Sequence, residues 1–121
     1  MEGFDLSRQV RDGVLIIKLR GDLDIVTSRQ LDEVLVTGRK EHSQVVLDLA
    51  GVDFMDTSSL AVIVGHWKSL TDEGGSLALA GARYQYTKSL WITGLASRIP
   101  MYDSVDLAIA AARSAAASGA D

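Results

Sequence analysis

No cysteine occurs anywhere in the 121 residues, which excludes a disulfide framework and cysteine-ligated metal and suits a reducing compartment. No apolar run approaches the roughly 20 residues that a membrane span requires, and no basic segment followed by an apolar one opens the chain. A soluble, cytoplasmic protein is the expectation, with no membrane partner. Lysine and arginine number 12 against 16 acidic residues, for a net charge of -4. They form no cluster, so a nucleic-acid backbone is not an expected partner. Neither a glycine-rich loop ending in Gly-Lys-Ser nor a Gly-x-Gly-x-x-Gly after a strand is present, so no phosphate cradle of a nucleotide enzyme is encoded. What is present is ordinary for a globular chain: 47% hydrophobic and 23% charged residues, enough for one domain with one core.

The most informative stretch runs from Val45 to Gly65. Val45, Val46, Leu47 and Leu49 form a β-branched apolar run that suits a strand covered on both faces of a parallel sheet. Ala50 to Met55 reads as a loop. Leu60, Ile63, Val64, Trp67 and Leu70 then recur at helical spacing, so one stripe of a helix can pack back on the sheet. Between strand and helix, Asp56, Thr57 and Ser58 are residue types that cap a helix start, since their oxygens accept from backbone N–H groups without intrahelical partners.

Around this unit, Phe4–Val10 and Val14–Leu19 read as a hairpin about Asp12-Gly13. Gly21-Asp22-Leu23-Asp24 closes it. Thr27 with Gln30 has the spacing of a capping box, Val26 with Leu31 that of a hydrophobic staple, and Gly38 is placed to end the first helix. Leu77–Ala80 predicts the next strand, Gln85–Ile92 a short helix with Leu90 and Trp91 facing the core, and Asp103-Ser104 the cap of a last helix holding Val105, Ala108, Ile109 and Ala112. Little remains to bury beyond Arg113, so the domain is expected over 1–112 and a frayed tail over 113–121. Strand, helix and strand in succession imply a parallel crossover, with the Asp56–Ser59 segment at the carboxyl end of the central strand, where function concentrates in such sheets. The fold class is α/β: one domain whose mixed sheet, an N-terminal hairpin plus parallel strands, is flanked by about four helices.

Ser58, His66 and several aspartates raise the thought of a serine hydrolase, but eight residues along one helix separate Ser58 from His66 by roughly 12 Å, far beyond hydrogen-bond reach. His42 reads as a surface histidine. Asp22, Asp24, Asp53 and Asp56 gather toward one end of the sheet, where turn and capping roles account for them. No metal or cofactor is called for. Down the helix, Ser58, Val62, Gly65 and Ser69 share a face turned away from the apolar stripe. Gly65 there costs about 1 kcal/mol against alanine, which calls for a reason: close approach of a partner, or tight packing inside the domain.

Asp56-Thr57-Ser58-Ser59-Leu60, after Val52-Asp53-Phe54-Met55, resembles the phosphorylation loop of the STAS domain family, the anti-sigma factor antagonists. Gly21-Asp22-Leu23-Asp24 is similar to that family's early acidic segment. Thr93-Gly94-Leu95 with Ile99-Pro100-Met101-Tyr102-Asp103-Ser104 resembles its C-terminal signature. The three segments span about residues 4 to 112 in the family's order. The resemblance implies a non-enzymatic module that binds an anti-sigma factor serine kinase when unphosphorylated and so frees a sigma factor, with a serine phosphatase to reverse the switch. It implies phosphorylation at Ser58, with Thr57 and Ser59 as alternate hydroxyls, since Ser59 stands where many members carry glycine. It further implies a partner surface of Asp24, Asp56, Thr57, Ser58, Ser59, Val62 and Gly65. Another output of the same module, a scaffold or a sensor of a nucleotide or small ligand near Asp24, is the alternative. Oligomeric state stays open. The second helix's N-terminal amides are the expected seat of the phosphate.

Overall fold

The structure, a computed structural model, describes residues 3–119. Its strands are β1 (Asp5–Arg11), β2 (Val14–Leu23), β3 (Gln44–Met55), β4 (Ser76–Ala80) and β5 (Met101–Tyr102). Its helices are α1 (Thr27–Arg39), α2 (Thr57–Asp72), α3 (Lys88–Ile92) and α4 (Val105–Gly119). The five strands lie side by side in chain order, β1 antiparallel to β2 and every later pair parallel. This is the mixed α/β sheet expected from the alternation of elements.

Asp12 (φ 54) and Gly13 (φ 79) form the hairpin turn with both residues in the left-handed region, the backbone that matches the twist of the strands it joins. From there β2 and β3 carry the interior. Alternate residues of the strands point to opposite faces. Leu15, Ile17, Leu19, Val45, Leu47, Leu49, Leu77 and Leu79 meet Leu31 and Leu35 of α1, Leu60, Ile63 and Leu70 of α2, and Leu90 of α3 in one cluster. Val14, Ile16, Val46 and Ala80 meet Ala108 and Ile109 of α4 in a second, smaller one. The sheet thus has three helices on one face and one on the other.

Several boundaries differ from expectation for identifiable reasons. The central strand does not end at Leu49 but continues to Met55, because Gly51, Val52, Phe54 and Met55 pair with Arg20, Gly21, Asp22 and Leu23 of β2. No capping box forms on α1: Thr27 Oγ1 donates to the Asp22 carbonyl, and Asp24 Oδ1 accepts from the N–H groups of Val26 and Thr27. Val26 is 65% exposed while Leu31 is fully buried, so no staple joins them. Gly38 lies inside α1, whose last residue is Arg39, and it is there for close approach, since a Cβ would collide with Cδ2 of Leu15. Trp91 is not in the core but stacks edge-to-face on Tyr84, with ring centroids 5.1 Å apart. Helix α4 runs past Arg113 to Gly119. The last two residues of the tail expected to fray, 113–121, lie outside those described. Among the described residues no helix is long and apolar enough to cross a membrane.

Candidate functional site

The carboxyl end of β3 hands the chain directly to α2. Met55 is the last strand residue and Asp56 the N-cap, extended at φ -102 and ψ -179. Its Oδ1 accepts from the N–H of Ser58 at 3.0 Å and of Ser59 at 3.2 Å, satisfying two of the donors that every helix start leaves open. The same oxygen accepts from Ser58 Oγ at 2.5 Å. Asp56 therefore does two jobs, holding the helix start and aiming the Ser58 hydroxyl.

The three neighbouring hydroxyls are not equivalent. Thr57 is exposed and Ser58 half-buried. Ser59 is 0% exposed and donates from Oγ to the Asp56 carbonyl at 2.7 Å, so it neither accepts phosphate as folded nor belongs to a surface. Ser58 Oγ has one further neighbour, Ser28 Oγ at 3.5 Å, which is itself 4% exposed. Ser28 is a site residue the sequence did not signal, because only the packing of α1 on α2 brings the two helix starts together.

Asp24 takes part indirectly. Its carboxylate is held below the usual range, first by the Thr27 backbone N–H and then by Val26 N–H and the Thr27 hydroxyl, against the opposing effect of burial. Those bonds shape the turn into α1, and Ser28, four residues on, is what touches Ser58. A backbone bond from Asp56 N–H to the Leu23 carbonyl, 3.0 Å, ties the two turns together. Asp22 and Asp53 are exposed, Asp53 lying 3.6 Å from Arg83. Among the described residues no three acidic, histidine or cysteine side chains are placed to share a metal ion.

Apolar side chains ring this end of the sheet in the open. Ile25 is 71% exposed in the turn beside Val26, and Phe54 is 50% exposed one residue before the end of β3. Sequence reading assigned none of these to a surface; isolated apolar residues in turns are common, and only the fold shows them converging.

Along α2, Val62 is half-buried and Gly65 exposed, both lining a groove of about 480 Å³ with Asp32, Arg39, Ala61, His66 and Ser69. A Cβ on Gly65 would meet nothing within 4 Å. Tight packing inside the domain thus does not explain the glycine. His66, on the floor of the groove, is 6% exposed and bonds α1 at both ring nitrogens: Nε2 to Asp32 Oδ1 at 2.7 Å and Nδ1 to Arg39 Nη1 at 3.0 Å. Because a guanidinium only donates, Nδ1 must accept, and the ring proton therefore sits on Nε2, where it donates to Asp32. Arg39 continues the chain to Glu73 at 3.1 Å. His42, by contrast, is half-buried with no side-chain bond among those described.

A five-stranded sheet with a capped serine-bearing turn at the head of α2 is the geometry in hand, and comparison with known proteins gives its class. The profile of the STAS domain matches residues 5–108, and the chain belongs to that family. An anti-sigma F factor antagonist of Paenibacillus polymyxa is 38% identical over 96 residues, 76% of this chain and 80% of that one. An anti-sigma-B factor antagonist of Staphylococcus epidermidis is 36% identical over 80 residues, 65% of this chain and 74% of its own. Among solved structures, a candidate anti-sigma factor antagonist from Thermotoga maritima superposes with a TM-score of 0.82 at 25% identity, covering 89% of this chain and 94% of its own.

Proposed function

We propose that the protein is an anti-sigma factor antagonist: unphosphorylated, it binds a cognate anti-sigma factor serine kinase and so releases a sigma factor, and phosphorylation of Ser58 ends that binding. It catalyses nothing; a serine phosphatase restores the active form. The observation that carries the reading is Ser58 itself, a half-buried hydroxyl held by Asp56 in the first turn of α2. Thr57 lacks that alignment and Ser59 lacks access. The partner surface consists of Ser58, Thr57, Val62 and Gly65 with Ile25, Val26 and Phe54, while Asp24 and Asp56 hold it in shape.

Incubation with the kinase and ATP is expected to add one phosphate, on Ser58, as read by tandem mass spectrometry. Ser58→Ala is expected to keep kinase binding and to resist the switch. A phosphate found on Thr57, or none at all with an active cognate kinase, would overturn the reading. If Ser58 were chiefly a structural residue, the alanine variant would melt far below the wild type, whereas Asp56 retains the cap in its absence.

Gly65→Ala separates folding from recognition. Replacing an exposed mid-helix glycine whose added methyl meets open space is expected to raise stability by about 1 kcal/mol in urea unfolding. Kinase affinity should fall, because the methyl stands where the partner approaches. A variant both more stable and equally well bound would remove Gly65 from the interface.

A further inference from the structure

We infer that a phosphate on Ser58 is received within the domain by Ser28 and Arg29 of α1, not by the amides of α2. This rests on the reading of Ser58 as the modified residue. Three of the first four amides of α2 are taken: Ser58 N–H and Ser59 N–H both donate to Asp56 Oδ1, and Leu60 N–H to the Asp56 carbonyl. A phosphate seated on them would have to displace the helix's own cap, which leaves Thr57 N–H as the one amide of the first turn on offer and disfavours the helix N-terminus as its seat.

The other side of Ser58 is open and differently furnished. Ser28 Oγ already lies 3.5 Å from Ser58 Oγ, with its own donation to the Ile25 carbonyl long at 3.2 Å. Its hydroxyl can turn to a stronger acceptor without stranding a partner, since a charged oxygen bonds more strongly than a neutral carbonyl. Beside it opens a hollow of about 340 Å³ lined by Ser28, Arg29, Asp32, Glu33 and Val62, many times the roughly 30 Å³ share of a water molecule. Val62 lies one helical turn after Ser58, so the hollow begins where a phosphate would project. Arg29 is exposed and, like Arg8, Arg20 and Arg98, makes no ion pair among the described residues; it is the one arginine of these four that lines the hollow.

Charge selects the same residue. Asp56 touches Ser58, Asp32 and Glu33 line the hollow, and Arg29 is the cation that shares it. Asp32 is engaged by His66 and Asp24 by its own turn. A dianion placed among these carboxylates is driven toward the guanidinium, whose planar fork suits phosphate oxygens. Held there, the phosphate lies over Val62 at the mouth of the α1–α2 groove and covers part of the surface the kinase uses. The modified state is switched off by occlusion as well as by charge.

The test installs phosphoserine at position 58 during translation, so it does not depend on any kinase recognising the chain. Phosphorus NMR follows the second ionisation of the phosphate in the otherwise native protein and in Arg29→Gln, Arg29→Lys and Ser28→Ala. A guanidinium beside the phosphate favours the dianion, so the midpoint is expected to rise by about half a unit to one unit when Arg29 becomes glutamine. It should largely return with lysine and rise by a smaller step in Ser28→Ala. The nitrogen shift of Arg29 Nε should move between the serine and phosphoserine proteins. Coincident titrations of native and Arg29→Gln proteins, or an Arg29 Nε shift indifferent to the phosphate, would overturn the inference. Arg29 is solvent-exposed, so its substitution leaves the fold intact for this comparison.

Discussion

Phosphorylated on Ser58, the domain is expected to lose affinity for its kinase partner by roughly 10⁴-fold, a differential of about 5.5 kcal/mol that turns a complex from almost fully bound to almost fully free. The charge accounts for most of it. A phosphoserine brings about -1.5 to -2 charge into an interface shaped for a hydroxyl, and a like charge ~5 Å away costs roughly 3 kcal/mol per unit at an effective dielectric of 20. Carboxylates already stand on this side of the interface: Asp56 touches Ser58, and Asp32 and Glu33 line the hollow beside it. Calorimetric titration of the partner with modified and unmodified domain measures the ratio, and chemical shifts measure the cause. Shifts confined to α1 and α2 support a local mechanism, whereas shifts spread through Val45–Leu49 and Leu77–Ala80 would indicate that the sheet itself rearranges.

The second large effect concerns folding. His66→Leu is expected to lower stability by about 2 to 3 kcal/mol, because a largely buried guanidinium that loses an acceptor keeps its desolvation cost with fewer bonds to offset it. Arg39 has little slack: its Nε is already buried without a partner, and with Nη1 released it would keep only Glu73. For a chain of this length the melting temperature should fall by roughly 6 to 12 °C. Asp32→Asn is the control. Asp32 is half-exposed, and an amide oxygen can still accept from Nε2–H, so its cost should stay within about 1 kcal/mol. Equal melting temperatures for His66→Leu and the native protein would mean that apolar packing replaces the network, as it does for some buried ionic groups. Nitrogen shifts of the imidazole report the proton on Nε2 independently.

What could be read in advance divides along a physical line. The Asp12-Gly13 turn, the stripe of Leu60, Ile63 and Leu70, the Asp56 cap and the Ser104 cap are local devices whose causes lie within a few residues of each other, and each is where the chain pattern placed it. Features decided by other segments were not legible. Ala50 to Met55 looks like a loop because Gly51 and Asp53 break the apolar run, yet hydrogen bonds from β2 make it strand. Thr27 has the spacing of a cap, but Asp24, reaching forward from the preceding turn, supplies it. The site followed the same rule. Asp56, Thr57 and Ser58 are neighbours in sequence and read together as candidate caps of α2, of which the structure uses Asp56. Ser28, Arg29, Asp32 and His66 come together only across two helices, at separations of about thirty residues that no local pattern spans.

The length of β3 has a consequence for what may read this protein. Its pairing with β4 ends at Asp48, yet the strand continues to Met55 on the β2 side, so seven more residues at ~3.3 Å each carry the start of α2 well past the end of β4. Ser58 stands at the far end of that extension, in the first turn of a helix, with Asp56 before it and Ser28 beside it. Under the proposed switch, an enzyme that modifies it would meet a corner made by two distant pieces of chain and could not draw the serine out as an extended peptide without breaking its cap. Recognition would then be conditional on folding: an unfolded copy would carry the same serine without the corner and pass unseen by kinase and phosphatase alike.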